Sequence, residues 1–425
     1  MGNDLRVMVV GSGGREHALV WKISQSPWVE RVFVPMANAG IAMESKTVPV
    51  AYADDNASIV AAAKERSVDL VVIGPDRYIV GGLADACDDA GLLVFGTRKR
   101  AAKLEGSKCY AKDLMARYNI PTAPYRCFDT ADQKAWAYIR QHRLPVVIKA
   151  DGLAGGKGTK VCRTVDEALA WARQWLSKGS IVVEEFLDGE EASFTGIVVS
   201  GTFLPWKSSQ DHKHLRDGDQ GPMTGGMGAY SPAPVLDPEV HKKVMKWIIA
   251  PLFRGLEVEM IPYTGFLYVG LMVVKGEPCV LEFNCRLGDP EAQGLLMRLK
   301  SDLASALYQA SQGKTEGLRF EWDPRPALCV VLAAHGYPGD PRKGDAITGL
   351  DAAGSLKGVK VFHAGTEYRG GKIVTAGGRI MGVTAMADTI QQARDRAYQA
   401  VEQVRFEEMH YRQDIGWRAI EREVK

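Results

Sequence analysis

Short apolar runs alternate with helix-length amphipathic stretches through the first hundred residues of the chain. Residues 7–10 are continuously apolar, as a strand buried on both faces requires. They pass through Gly11-Ser12-Gly13-Gly14 into a stretch that predicts a helix to about Ser24. Further strands are predicted at 32–35, 70–73 and 92–95, and helices at 57–66 and 83–90. Strands separated by helices of this length predict a doubly wound parallel sheet.

The pattern changes near Lys103. A helix is predicted over 107–118 with Ser107 as its N-cap, and Asn119-Ile120-Pro121-Thr122 ends it. A small αβ unit follows, with helices at 132–141 and 165–176, strands at 146–150 and 181–186, and a glycine-rich turn between them. Residues 191–325 carry mostly strand signals, interrupted by a long Gly/Pro loop at 208–234. Strands at 265–274 and 279–283 flank Lys275-Gly276-Glu277-Pro278, a hairpin signal. From residue 327 the chain predicts short strands, turns and one helix at 389–404. The whole predicts a multidomain α/β and α+β protein divided at 1–103, 104–326 and 327–425, with a small subdomain at about 121–188.

Composition narrows the function classes. The 53 Lys and Arg against 51 Asp and Glu leave a net charge of +2, so no polyanion-coating surface is expected and nucleic acid is not an expected partner. Hydrophobic content of 46% and charged content of 24% are ordinary for a globular chain. No apolar run approaches the roughly 18 residues of a membrane span. Met1-Gly2-Asn3-Asp4-Leu5-Arg6 lacks the basic flank and apolar core of a secretion signal. The cysteines at 87, 109, 127, 162, 279, 285 and 329 are scattered and form no C-x-x-C pair, so a reduced, cytoplasmic chain is expected. Glycine is abundant, at 45 residues, and its clusters mark the candidate chemistry.

Asp151-Gly152-Leu153-Ala154-Gly155-Gly156-Lys157-Gly158 follows a strand that carries Lys149 near its end. Glycines let consecutive N–H groups approach phosphate oxygens, and Lys149 and Lys157 add point charges. The P-loop spacing is not matched, and a plain hairpin turn is the competing reading. The segment 181–191, with Glu184, Glu185, Leu187 and Glu191, pairs an apolar wall with carboxylates suited to adenine and ribose, or is a strand end with solvated acids. In Glu282-Phe283-Asn284-Cys285-Arg286, strand alternation places Glu282, Asn284 and Arg286 on one face. Their oxygens suit Mg²⁺ held against phosphates, and Arg286 can grip a carboxylate or phosphate; the competing reading is a surface ion pair. Asp289-Pro290-Glu291 adds acid or simply starts a helix.

The loop at 208–234 is long for a compact domain, which points to function or disorder. Substrate positioning by its Asp211 and Lys213 is preferred to proton transfer by His212. Gly11-Ser12-Gly13-Gly14-Arg15-Glu16-His17 fails as a dinucleotide fingerprint, because Glu16 holds the third glycine position and no acid ends the second strand near Pro35. An anion site at a helix N-terminus, or a structural tight turn, remains. A nicotinamide-dependent oxidoreductase and a silent binding protein are therefore weaker alternatives than a nucleotide-dependent enzyme.

In this order, the stretches 11–18, 104–108, 148–158, 183–194, 209–213, 224–232, 263–272, 282–291, 336–340, 362–366 and 414–423 resemble the glycinamide ribonucleotide synthetases of the ATP-grasp superfamily. The resemblance implies a doubly wound N-terminal domain, a central ATP-grasp fold of two subdomains and a small C-terminal α+β domain. It implies ligation of glycine to 5-phosphoribosylamine through glycyl phosphate, with ATP consumed to ADP and phosphate and Mg²⁺ or Mn²⁺ as metal. Phosphoryl transfer relies on positioning and charge neutralisation, so no Ser/His/Asp triad is expected.

Position by position, the likeness implies that Lys108, Lys149 and Lys157 meet the phosphates of ATP beneath a mobile flap of Gly155, Gly156 and Gly158. Glu184, Glu185, Leu187 and Glu191 would hold the adenosine, and Glu282 and Asn284 the metal. Arg286, Gly288 and Asp289 would face glycine and the acyl phosphate, with Arg286, Asp289 and Lys157 as catalytic candidates. Gly13, Gly14, Asp211 and Lys213 would face phosphoribosylamine. The chain departs from the family at Met36-Ala37-Asn38, at Pro75-Asp76-Arg77-Tyr78-Ile79 and at Gly221-Pro222-Met223-Thr224, which leaves an ATP-grasp ligase with a related amine as the alternative. Small-molecule partners, no membrane and a monomer or weak homo-oligomer are expected.

Overall fold

The computed structural model describes residues 4–51, 54–130 and 132–424; residues 1–3, where the secretion-signal reading began, lie outside this range. The first five strands are β1 (Leu5–Val10), β2 (Val29–Pro35), β3 (Thr47–Val50), β4 (Leu70–Ile73) and β5 (Val94–Phe95). They form one sheet in the order β3-β2-β1-β4-β5, with every neighbouring pair parallel. Helices α1 (Gly14–Ser24), α2 (Asn56–Glu65), α3 (Asp76–Val80), α4 (Leu83–Asp89) and α5 (Lys99–Gly106) connect and cover it. The central strands β1 and β4 are covered on both faces, so Val7, Val9, Leu70 and Val72 are as buried as Met8, Val10 and Val71. β3 escaped the sequence reading because it is short and carries Pro49, which suits only an edge strand. Helix α5 runs through the division expected at 103.

Ser107 caps α6 (Lys108–Arg117), its hydroxyl accepting the Tyr110 N–H at 3.1 Å, as the sequence predicts. Strands β6 (Tyr125–Phe128), β7 (Val146–Ala150), β8 (Thr159–Cys162) and β9 (Ile181–Glu185) then make an antiparallel sheet in the order β6-β9-β7-β8. With α7 (Lys134–Gln141) and α8 (Val165–Leu176) it encloses its own core of Phe128, Ile139, Ile148, Ala172 and Ile181. One expectation changes here. Cys109 on α6 and Cys127 on β6 are joined as a disulfide with Cα atoms 5.9 Å apart, because α6 packs against this sheet; the other five cysteines are free.

The chain continues through β10 (Glu190–Val199), β11 (Thr202–Pro205), β12 (Gln210–Asp211), the hairpin β13 (His214–Arg216) and β14 (Gln220–Met223), β15 (Gly228–Ser231), α9 (Pro238–Val244), α10 (Ala250–Val258), β16 (Gly265–Val274) and β17 (Glu277–Asn284). Strands β11-β10-β16-β17 form the second antiparallel sheet of the central region. Helices α11 (Glu291–Arg298) and α12 (Leu303–Ser311) lead to β18 (Ala327–Ala333), α13 (Leu350–Gly354), β19 (Val359–His363), the hairpin β20 (Thr366–Arg369) and β21 (Lys372–Thr375), β22 (Arg379–Met386), α14 (Ile390–Val401) and α15 (Trp417–Val424). The last sheet has the order β12-β15-β18-β22-β19, so it takes in two strands from the long loop at 208–234. That loop is structurally part of the C-terminal sheet, although more than ninety residues separate β15 from β18.

Charged clamps hold the C-terminal region to the rest. Glu44 pairs with His17 at 3.0 Å and with Lys360, and His363 N–H donates to His17 Nδ1 at 2.7 Å. Asn38 donates to both Ser12 O and His363 O, at 2.8 and 2.9 Å. Burial holds His17 below its ordinary pKa, which keeps the ring neutral in this setting. On the far side, the fully buried Arg412 meets Asp414 at 2.7 Å and Asp219 at 3.0 Å and donates to His214 O, fixing the β13–β14 hairpin. Asp414 titrates at about 2: burial pushes it up, but hydrogen bonds from Arg412 and the Gly218 N–H outweigh that cost.

A depressed carboxyl pKa stabilises the fold above its unfolded value of 3.8 and loses that contribution as pH falls towards 2. The unfolding free-energy gap between the wild type and Asp414→Asn, measured by urea denaturation, is therefore expected to be constant above pH about 5 and to close between pH about 4 and 2. A gap that stays constant through that window would remove the Arg412 clamp from the stability of the hairpin.

Candidate active site

A cleft of about 370 Å³ opens between the two antiparallel sheets of the central region, within the usual range for small-molecule sites. The lid supplies its roof. Asp151, at the end of β7, caps α6 by accepting the Ser107 hydroxyl at 3.1 Å and the Cys109 N–H at 3.2 Å. Lys108 donates to Gly152 O at 2.9 Å, so the first turn of α6 is tied to the root of the glycine flap. At Gly156, with φ of +76°, a Cβ would lie 3.2 Å from Thr224 O, so the flap rests on the base of the substrate loop and requires glycine there. Gly155, Gly156 and Gly158 line the cleft; Lys157 is exposed and does not.

Beneath the flap, Lys149 on β7 and Lys112 on α6 both pair with Glu184 on β9. Lys149 also donates to Leu281 O at 3.0 Å. Burial raises the Glu184 pKa, but the two ammonium groups outweigh it and hold the carboxyl below its ordinary value. The Glu184 carboxylate, which lines the cleft as the adenosine assignment requires, is engaged by these two lysines. Glu185, Leu187 and Glu191 do line the cleft beside it.

Glu282 and Asn284 on β17 share one wall, as alternation requires, and Arg286, just past the strand end, lines the same cleft. Asn284 Nδ2 donates to Glu282 at 3.2 Å, and Arg286 donates to Asn284 Oδ1 at 3.2 Å. Burial raises the Glu282 pKa, but Lys213, Lys108 and Lys149 pull it below the ordinary range and keep it ionised. An ionised carboxylate beside an amide oxygen fits a divalent cation whose shell is completed by phosphates and water. No cluster of three or more His, Cys, Asp or Glu among the described residues forms a self-sufficient metal cage. Arg286 is itself anchored by Glu105 on α5, which meets its Nε at 3.0 Å and accepts the Cys285 N–H at 2.8 Å.

Three parts of the chain meet at Asp289. Arg379, from β22, donates to Asp289 O at 2.6 Å and to its carboxylate at 3.2 Å. The same guanidinium donates to Gly225 O at 2.6 Å and Gly226 O at 3.3 Å, binding the substrate loop to this corner. Gln293 donates to Asp289 at 2.7 Å. Burial raises the Asp289 pKa, but Arg379 and Arg15 outweigh it and hold the acid low. Gly13 and Gly14 pack behind Asp289 and do not line the cleft; the Gly13 N–H is already taken by Glu16 at 2.7 Å. Glu16 thus takes one of the N–H groups at the helix terminus read as an anion site.

Asp211 and Lys213 pair at 2.8 Å and both line the cleft, with Glu191, Glu291 and Tyr268 facing them. Burial, reinforced by Glu291 and Glu191, raises Asp211 to about 7 against the pull of Lys213. His212 points elsewhere. Its Nε2 accepts the Gly416 N–H at 3.0 Å, and burial with Arg412 and Arg418 nearby lowers it to about 3, so it stays neutral and outside the cleft. Sequence reasoning missed Arg379, Glu105, Arg15 and Lys112. Lys112 alone left a usable signal, one helical turn beyond Lys108 on a predicted helix; Arg379 lay in what reads as a glycine turn.

A lid sheet closing on a second antiparallel sheet, with lysines above and a carboxylate–amide pair below, defines an ATP-grasp enzyme. Three descriptions of one family match in series: phosphoribosylglycinamide synthetase N domain at 5–105, ATP-grasp (A) domain at 106–292 and C domain at 327–418. The chain belongs to the phosphoribosylglycinamide synthetase family. It is 49% identical over 428 residues to the phosphoribosylamine–glycine ligase of Vibrio vulnificus, covering 99% of both chains. The crystal structure of phosphoribosylamine–glycine ligase from Thermotoga maritima matches with a TM-score of 0.82 at 33% identity, covering 96% of this chain and 100% of that one. The biotin carboxylase domain of Hydrogenobacter thermophilus 2-oxoglutarate carboxylase, solved with MgADP, shares the fold with a TM-score of 0.70 at 16% identity, over 96% of this chain and 91% of that chain.

The Asp211 carboxyl carries charge only above its raised pKa, so a contribution from its anion falls as pH drops through about 7. The pH profile of kcat/KM for ADP release is expected to show an acid limb near pH 7 that Asp211→Asn abolishes. An unchanged limb in that variant would assign it to another group.

Proposed function

We propose that nucleotide occupies the lid side of the cleft and the amine the side closed by the C-terminal sheet. The protein is an ADP-forming carbon–nitrogen ligase that joins glycine to 5-phosphoribosylamine, giving glycinamide ribonucleotide in purine biosynthesis. The observation that carries the assignment of parts is the convergence of Lys108, Lys149, Glu282, Asn284 and Arg286 on one cleft.

A carboxylate is a poor electrophile, so glycine is first phosphorylated: its carboxylate oxygen takes the terminal phosphoryl group and ADP leaves. The amine nitrogen then attacks the acyl carbon, the bond to the phosphate oxygen breaks, and the nitrogen sheds a proton. Lys108 and Lys149 offset the charge of the ATP phosphates, and positioned cations of this kind supply much of the catalysis of phosphoryl transfer. Lys157 joins them when the flap draws in over bound nucleotide. The backbone around Glu185 and Leu187 takes the adenine edge, and Glu191 the ribose. Glu282 and Asn284 hold Mg²⁺, or Mn²⁺ in its place, which neutralises phosphate charge when bound.

Arg286, pre-set by Glu105, grips the glycine carboxylate and then the acyl phosphate. Gly288 and Asp289 lie beside it, with Asp289 held by Arg379. Asp211 and Lys213 face the amine substrate, which Gly13 and Gly14 reach only through Asp289. Of the departures from the family pattern, Asp76 and Met223 line the cleft, on the amine side of this reading.

Steady-state ADP release, with phosphoribosylamine generated in place, is expected to require glycine and the amine together. Release that proceeds at full rate without the amine would point to another acceptor. Glu282→Ala is expected to lower turnover at least about a hundredfold with the fold intact by circular dichroism; normal turnover would remove the metal assignment.

A further inference from the structure

Lysine 112 has no part in the assignments above, yet it is among the most buried charged groups in the molecule, with a side chain 2% exposed. It stands on α6 one helical turn beyond Lys108, and both line the cleft. Its ammonium meets Glu184 and donates to Thr122 Oγ1 at 2.7 Å, and Thr122 in turn donates to Val280 O at 2.6 Å. The Tyr125 ring lies 5.6 Å from the same nitrogen. Glu184 uses its other oxygen for Lys149. Two ammonium groups therefore share one carboxylate, and the buried triad keeps one positive charge.

That surplus falls on Lys149. An ammonium has three N–H donors. Those of Lys112 face Glu184, Thr122 and the aromatic face of Tyr125, all protein groups. Lys149 gives one to Glu184 and one to Leu281 O, which leaves one for a ligand in the cleft. If Glu184 had only Lys149 to satisfy it, the pair would be neutral and the carboxylate would draw that ammonium away from any anion.

We propose that Lys112 is a positioning residue for the nucleotide: by engaging Glu184 it leaves the Lys149 ammonium with uncompensated charge and a free donor for a nucleotide phosphate. The inference rests on the assignment of Lys149 to ATP. It also separates Lys112 from a residue that only knits α6 to the lid, because a knitting residue would affect every ligand of the lid alike, whereas this role concerns phosphate alone.

The test is calorimetric titration of the full-length enzyme with ATP and with adenosine, both in the presence of Mg²⁺. Lys112→Met is expected to weaken ATP about 10- to 100-fold, the range of a lost hydrogen bond to a charged group, while adenosine affinity stays within about twofold. Adding Glu184→Gln to Lys112→Met removes the competing carboxylate and is expected to return ATP affinity to at least the wild-type level. This double variant also avoids an unpaired buried anion, so it remains informative where Lys112→Met alone fails to fold. ATP affinity unchanged in folded Lys112→Met, a parallel loss of adenosine affinity, or a double variant that binds ATP more weakly than wild type would each overturn the proposal. Lys149→Ala distinguishes the underlying assignment: if it binds ATP like wild type, the placement of Lys149 fails and the proposal with it, whereas a weakened Lys149→Ala beside an unaffected Lys112→Met sinks the proposal alone.

Discussion

Charge buried across the joints between structural units is the constraint on which the rest of this molecule depends. An ion taken out of water costs several kcal/mol unless a well-placed partner and further hydrogen bonds compensate it. Here the partners come from different units. Glu184 of the lid sheet is met by Lys112 of α6, Arg286 beyond the end of β17 by Glu105 of α5, and Asp289 by Arg379 of β22. Glu105 and Asp289 find these partners only once the units have come together, and Glu184, which has Lys149 within its own sheet, gains its second partner at the same step.

The same pairing explains how a site crowded with acids can attract a triphosphate. Glu184, Glu282 and Asp289 are each held ionised by neighbouring cations, so their charges are met within the protein. The arrangement spares the protein a covalent catalyst. A reaction that moves a phosphoryl group and then expels it needs a fixed field and fixed distances more than a nucleophile, and fixed ion pairs supply both. Asp211 stands apart, since burial and neighbouring acids push it up to about 7 and make its charge sensitive to conditions near neutrality.

The C-terminal region shapes the site from outside the central sheets. The substrate loop enters its sheet through β12 and β15, Arg379 reaches from it to Asp289, and Arg412 pins the β13–β14 hairpin. At the other end, His17, Glu44 and Lys360 tie its β19 to the first sheet. The region therefore braces its side of the cleft from two directions, while the lid encloses a core of its own.

What the chain determined by itself was local. Apolar runs marked the doubly wound sheet, Ser107 marked the cap of α6, glycine clusters marked the flap, and two-residue alternation lined up Glu282 and Asn284. These features are legible because they depend on backbone period and on neighbours a few residues away. Pairing was settled only by tertiary structure. That Glu184 serves two lysines, that Glu16 caps the turn read as an anion site, that His212 faces Gly416, that Cys109 meets Cys127, and that the loop at 208–234 belongs to the C-terminal sheet all depend on contacts between distant segments. The physical reason is that a charged or polar side chain takes its role from whichever partner burial brings to it, and nothing in its own neighbourhood along the chain says which partner that will be.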